Sequence, residues 1–350
     1  MKTILWTFFL FLMGIAHLQV IAQEDEPIYL LRDNLSLVSL LGRSDAMQTN
    51  APLSLPVTTY DAPNPVTIAR AQISASEDQL FVLLHEGRVS PQYPFPTNTR
   101  IVIVDLASNQ THTIYERPGI FTFLISPDEQ HMVVGYHEDD YYFSTRRLCV
   151  LEISTGICTS IEYTIGSNPG HWVDNATLLI PRLINNQLLV FNIFSQQESF
   201  IPTPEDWHFS STAPIPETGK IVISGQQSNK DRSQLPITAF FILDLELLSF
   251  EMLPYIEHEY VAWWSFSPTN QYVIYGRVNP VLVEFLTGRR IFEFESLLNW
   301  GWVNNHTLVA QRLNPNGTGM EIIQIDATTG GITTLAQGDQ AGGILLIPHS

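Results

Sequence analysis

After residue 23, short apolar runs alternate with polar turns along the whole chain, and the same arrangement returns many times. The clearest unit is an apolar strand, a polar turn and a second apolar strand. It reads ISASEDQLFVLL at 73–84, ISPDEQHMVVGY at 125–136 and FSPTNQYVIYGR at 266–277. Related versions are HWVDNATLLIPR (171–182), PIPETGKIVISG (214–225) and GWVNNHTLVAQR (301–312). After a loop of variable length, each leads to a β-rich run that ends in an acidic or amide residue and turns into another strand. Asp105, Glu152, Asn192, Asp244, Glu284 and Asp326 occupy that matching position, at separations of 47, 40, 52, 40 and 42 residues. No segment combines a helical period with caps over about ten residues. The pattern predicts an all-β chain whose repeats are four-stranded blades of a β-propeller.

Turn chemistry agrees with this division. Ser126-Pro127-Asp128 and Ser267-Pro268-Thr269 combine proline with side chains that bond nearby amides. Thr155-Gly156, Thr287-Gly288 and Thr329-Gly330 supply a residue free to take positive φ in the second turn. At the N-terminal end, residues 28–41 read as a strand, a tight turn at Asp33-Asn34 and another strand, and residues 53–60 read as an outer strand. The chain finishes with GGILLIP at 342–348, one strand without a partner. Placing it innermost in a blade whose other strands come from the N terminus predicts seven blades, with the ring closed by N- and C-terminal strands. Dividing roughly 328 residues by about 45 per blade also gives seven.

The Ser-Pro-Asp turn and β-run of ISPDEQHMVV, followed by VLEISTG and QIDATTG segments, resembles the WD40-like (PD40) repeat of secreted TolB-type β-propellers. The resemblance spans residues 28–348. Ser74-Ala75, Trp172-Val173 and Ile215-Pro216 stand where other copies carry the Ser-Pro pair, and no glycine follows Asp128. It implies a propeller fold in a group whose members serve as periplasmic interaction scaffolds, ligand-binding modules and regulatory domains in front of peptidases. No part of the chain resembles a peptidase domain.

Residues 1–22, MKTILWTFFLFLMGIAHLQVIA, carry a positive start at Lys2, an apolar core from Ile4 to Met13 and small residues before a cut after Ala22. They read as a signal peptide, leaving 23–350 as a single propeller domain that is secreted or periplasmic. Export makes Cys149 and Cys158, on either side of the LEISTGI hairpin, a candidate disulfide. The 17 Lys+Arg against 35 Asp+Glu give a formal net charge of -18. Such a surface argues against nucleic acid as partner and against polybasic docking on anionic membranes. No membrane insertion is expected after signal cleavage.

Candidate chemistry gathers on one face, where the second-to-third and fourth-to-first connections lie. The loops at 85–100, 137–147 and 226–238 are long, polar and aromatic, as binding loops are. Tyr93, Phe95, Tyr141 and Tyr142 offer contact area. Arg32, Arg182, Arg277 and Arg312 share one offset at the end of a second strand, which suggests a partial positive ring for a carboxylate. The alternative is that each arginine pairs with an acidic neighbour. Glu138, Asp139 and Asp140 supply oxygens for calcium, yet consecutive residues on a strand-like backbone point apart, so no cofactor is expected. Trp172, Trp264 and Trp302 read as packing between sheets, and Trp207 as a more exposed ring. Asp105, Asp244 and Asp326 read as turn residues. Nucleophile-elbow, zincin and phosphate-loop motifs are absent.

Three functions follow. The leading one is non-catalytic binding of a protein, peptide or cell-envelope component. The second is a hydrolase or lyase acting on an extracellular glycan with carboxylates across the channel, drawn from Glu86, Glu138, Asp139 and Glu257. The third is a purely structural module.

Overall fold

The computed structural model describes residues 28–32, 35–41, 52–58, 65–87, 98–138, 146–161, 170–182, 187–215, 218–227, 237–257, 263–276, 279–314, 316, 319–338 and 343–346. Six four-stranded antiparallel sheets follow one another along the chain as blades 1 (66–116), 2 (120–161), 3 (171–202), 4 (207–257), 5 (263–293) and 6 (297–337). Each runs in sequence order from its innermost to its outermost strand.

The expectation of seven blades closed by the terminal strands is corrected by these sheets. Among the described residues, six have four strands, the sheet that joins the N-terminal and C-terminal strands has three, and no sheet closes on itself through hydrogen bonds. In the three-stranded sheet, Ile28–Leu31 lies between Leu37–Leu41 and Ile344–Leu346, with Leu30 opposite both Val38 and Leu345. The expected fourth strand fails for a physical reason. Pro52 and Pro56 lack N–H donors for a ladder. Residues 52–58 run instead as an irregular strap with Leu53 and Leu55 buried. Blade 1 holds this strap mainly through side chains, with one backbone bond from Thr58 N–H to Val66 O at 3.0 Å. Ser54 N–H donates to Asn109 Oδ1 (2.8 Å), Asn109 Nδ2 donates to Pro52 O (3.1 Å), and Thr111 Oγ1 donates to Ser54 O (2.8 Å). The alternation of Leu53 and Leu55 reflects one-sided burial without strand pairing.

The middle strands are apolar because both of their faces are buried. In Gln79–Glu86, Leu80, Val82 and Leu84 pack toward the terminal sheet while Phe81 and Leu83 pack against blade 2. Outermost strands such as Gln110–Glu116 are mostly polar and half-exposed. The indoles of Trp172 and Trp302 tie neighbouring blades by donating to Leu124 O and Ser265 O, each at 3.1 Å. Trp207 departs from the sequence expectation. It is half-buried, with its ring edge-on to Phe241 at 5.0 Å.

Turn side chains set the register at the end of the blades away from the long loops. Ser74, Ser126 and Ser267 are fully buried, and each Oγ accepts a backbone N–H at 3.0 Å, from Gln79, His131 and Tyr272. Glu129 takes φ 57°, so the left-handed position after Asp128 exists without a glycine. In the second turn, Asp105, Asn192, Asp244 and Asp326 accept N–H bonds from residues two or three positions on. Hydrogen bonds from Ser108 hold Asp105 below the usual carboxylate range, and those from Leu247 and Thr328 do the same for Asp244 and Asp326. These acids cap turns. The third and fourth strands of blade 2 are joined by the Cys149–Cys158 disulfide, Cα atoms 5.6 Å apart.

Replacing Ser126 by alanine strips the part-buried His131 N–H of its side-chain acceptor. We expect a loss of about 1–3 kcal/mol in urea unfolding. Replacing both cysteines by serine removes a short cross-link and should lower stability by about 2–3 kcal/mol on the chain-entropy estimate.

Candidate functional site

The second and third strands carry cross-strand ion pairs at their loop-face ends. Arg100 meets Glu86 at 2.6 Å in blade 1, Arg147 meets Glu138 at 2.9 Å in blade 2, and Arg312 meets Glu321 at 2.9 Å in blade 6. Glu321 also accepts from Gln337 Nε2 at 3.3 Å. This takes Arg312 out of the suggested positive ring, because its charge is already matched by a buried carboxylate. Arg32, at the end of Ile28–Leu31, is half-buried, and its Nε has no hydrogen-bond partner among the described residues. Arg182 lies opposite Gln187 in blade 3. Arg277, Tyr93, Phe95, Tyr141, Tyr142, Asp139 and Asp140 lie outside the described residues, as do the side chains of Arg182 and Glu257.

A second set of arginines, not singled out in the sequence, flanks the loop-face end of blade 2, with Arg70 and Arg117 on the side of blade 1 and Arg146 on the side of blade 3. Arg117 stands over the Tyr136 ring with Cζ 3.6 Å from its centre. Arg146 lies 5.6 Å from the centre of Phe121, and the same ring faces His137 at 5.0 Å. Arg70, on the innermost strand Val66–Ile73, donates from Nη1 to Thr122 Oγ1 at 3.2 Å and lies 5.5 Å from the centre of Phe123. None of the three is within ion-pair distance of a carboxylate among the described residues.

Backbone irregularities place these groups. The innermost strands of blades 1 and 2 each shift register once, between Ile68 and Arg70 and between Ile120 and Thr122. Such bulges re-aim the side chains beside them. Gly119, at φ 74°, lets the connection from blade 1 press against His137, where an added Cβ would come within 3.2 Å of the His137 carbonyl. That approach carries Arg117 to Tyr136, and Gly119 O accepts the His137 N–H at 3.0 Å. The imidazole of His85 bridges the same seam, donating from Nε2 to Ile120 O at 3.2 Å.

Electrostatics separate the two kinds of group. Arg70 has an exposed surface, yet protein packed around its guanidinium desolvates it and lowers its pKa. Open area governs whether a ligand reaches it, and an arginine keeps its charge in either case. His137 is pushed down to about 4, first by desolvation and then by the Arg146 charge. His85 moves down through desolvation, partly offset by its bond to Ile120. At neutral pH the two sides of blade 2 therefore present fixed positive guanidiniums, aromatic faces and neutral imidazoles. Arg70 and Arg117 can hold an anion on the blade 1 side, and His137 beside Arg146 can accept a proton on the blade 3 side. Glu86 and Glu138, considered as cross-channel acids, are each held by an arginine instead. Among the described residues, no group of three or more His, Cys, Asp or Glu side chains is placed to hold a metal ion. Nor is any helix there long and apolar enough to cross a membrane.

No known family profile matches the chain, and no curated protein matches it. Solved structures do resemble it at low identity. A component of the mitotic checkpoint complex is 10% identical with a TM-score of 0.54, covering 85% of this chain and 91% of that one. The β-propeller domain of the Trilobed protease from Pyrococcus furiosus is 12% identical with a TM-score of 0.50, covering 78% and 86%. An oligogalacturonate lyase from Vibrio parahaemolyticus is 13% identical with a TM-score of 0.49, covering 86% and 93%. The first two likenesses show a β-propeller fold and nothing finer.

The depressed His137 gives a defined acid response. Its folded pKa of about 4 lies below the ordinary 6.5 of an unfolded histidine, so the unfolded chain binds more protons between those values. Stability from this group is present above pH 6.5 and is lost as the pH falls toward 4. The shift of His85 adds in the same direction. His137→Gln should flatten the fall in unfolding free energy across that window, measured by urea titration at successive pH values. An unchanged slope would assign the acid response to other groups.

Proposed function

We propose that the chain is an exported β-propeller that binds a carboxylate-bearing ligand, an acidic peptide or an acidic cell-envelope component, on its loop face around blade 2. One observation carries this reading. Arg70, Arg117 and Arg146 approach aromatic rings and have no carboxylate partner among the described residues, in a protein of net charge -18. A ring face orients a guanidinium without using its N–H donors, which leaves Arg117 and Arg146 available for bidentate bonds to an acid, while Arg70 commits one Nη1 donor to Thr122 Oγ1. Residues 1–22 support export, and the TolB-like turns are in keeping with an exported binding propeller. The long loops at 85–100 and 137–147 flank this region in sequence and supply Tyr93, Phe95, Tyr141 and Tyr142 as further contacts.

A second reading, favoured by neutral His137 beside Arg146, is a lyase acting on an acidic extracellular glycan. Removal of a proton next to a carboxylate, with cleavage of the glycosidic C–O bond on the neighbouring carbon and protonation of the departing oxygen, needs a base that is unprotonated at working pH and a cation to hold the acid. His137 fits the first role and the guanidiniums fit the second.

Titration with acidic oligosaccharides, their neutral counterparts and acidic peptides tests both readings. We expect acidic ligands to bind and neutral ones not to. The double change Arg117→Ala and Arg146→Ala should weaken binding by about tenfold or more, the scale of a lost charge-assisted bond. Equal binding of neutral and acidic sugars would sink the proposal. For the catalytic reading, His137→Ala should abolish formation of an unsaturated product while leaving the dissociation constant nearly unchanged.

A further inference from the structure

The hairpin tip of blade 4 sits at the opposite end of the blades from this cluster. It joins Ile237–Asp244 to Ser249–Glu257. Leu247 is 72% exposed, Leu248 59% and Met252 52%. Isolated exposed leucines need no explanation, but this tip carries Leu247, Leu248 and Met252 and sets a leucine at a left-handed position that holds glycine, asparagine or glutamine in the other blades. Leu248 occupies the left-handed region at φ 49°. The corresponding positive-φ positions in the other blades hold Asn109, Gly156, Gln196, Gly288 and Gly330. A leucine there strains its own backbone, whereas glycine and asparagine take the conformation at less expense. Folding gains nothing from an exposed leucine in that position. The turn itself is held without it, because Asp244 Oδ1 accepts the N–H groups of Glu246 and Leu247 at 3.0 Å each.

Charge identifies the kind of partner. Glu246 and Glu251 flank the leucines, are exposed, and have no ion pair among the described residues. The nearby Lys220 is already engaged by Asp244 at 3.7 Å. Blades 3 and 5 add Phe194 and Leu286 to their own second turns, 65% and 67% exposed, where blades 1, 2 and 6 carry Ala107, Ser154 and Thr328. We propose that the blade 4 tip is a docking surface for a basic amphipathic segment of another protein, with Leu247, Leu248 and Met252 as anchors and Glu246 and Glu251 as ion-pair partners. A symmetric contact with a second copy would set these carboxylates against themselves, in a chain already at -18. An anionic bilayer meets the same repulsion.

The test uses two labelled peptides of identical pattern, one of leucine and lysine and one of leucine and glutamate, read by fluorescence anisotropy against the protein. The lysine peptide should bind at least about tenfold more tightly, and its affinity should fall with added salt. The pair Glu246→Gln and Glu251→Gln should weaken it about tenfold, a typical scale for lost charge complementarity. Leu248→Gly separates docking from folding. It should raise the melting temperature by a degree or more, as relief of left-handed strain, and weaken the lysine peptide about fivefold or more. Equal affinity for both peptides, or unchanged binding in both variants, would overturn the proposal. So would concentration-dependent dimerisation in sedimentation velocity that Leu247→Ser abolishes, which would assign the tip to a second copy.

Discussion

Burial of both faces of the middle strands is the constraint on which the rest of this propeller depends. In Gln79–Glu86, alternate side chains belong to two different cores, one shared with the terminal sheet and one with blade 2. Apolarity therefore does not distinguish one register from its neighbour, as it would in a sheet with one wet face. The turns do that work. Ser74, Ser126 and Ser267 fix where the second strand begins, and Asp105, Asn192, Asp244 and Asp326 fix where the third ends. Two-sided burial also leaves little room for polar groups within a blade, so chemistry is displaced to strand ends and to bulges of the innermost strands.

Much of the architecture is legible in sequence because these devices are local. A turn serine bonds an amide five residues on, and a capping acid bonds one two or three residues on, so both recur with the repeat. The disulfide is legible for the same reason, since its cysteines flank one hairpin. The blade count misleads where a local signal mimics a strand. Leu53 and Leu55 alternate because one face of a strap is buried, and only the positions of Pro52 and Pro56 hint that no ladder forms.

The candidate site is less legible because it is assembled between blades. The bulges beside Arg70 and Phe121 break the period from which side-chain direction is read. Arg117 sits in a connection, and its ring partner Tyr136 comes from the next blade. The Arg-Pro-Gly run at 117–119 is the one sequence signal there, marking a turn that breaks the strand pattern. A search by offset along second strands finds Arg312, which the fold neutralises with Glu321. Register decides that outcome, since Arg312 and Glu321 face each other across the ladder.

The arginines thus divide by what holds them. Arg100, Arg147 and Arg312 are held by carboxylates, so their attraction for a further anion is largely cancelled at close range. Arg70, Arg117 and Arg146 lie beside rings, which orient a cation without cancelling its charge. The net charge of -18 opposes the approach of any anion from a distance. That opposition is screened beyond about 8 Å at physiological salt. Local guanidiniums then dominate the final approach. Salt weakens the distant repulsion and the local attraction together, so the two changes offset each other. An acidic ligand at blade 2 should consequently show a shallower salt dependence than the same contacts would give on a neutral protein. At the acidic tip of blade 4, by contrast, the overall field and the local carboxylates act on a basic partner with the same sign. Its salt dependence should be the steeper of the two.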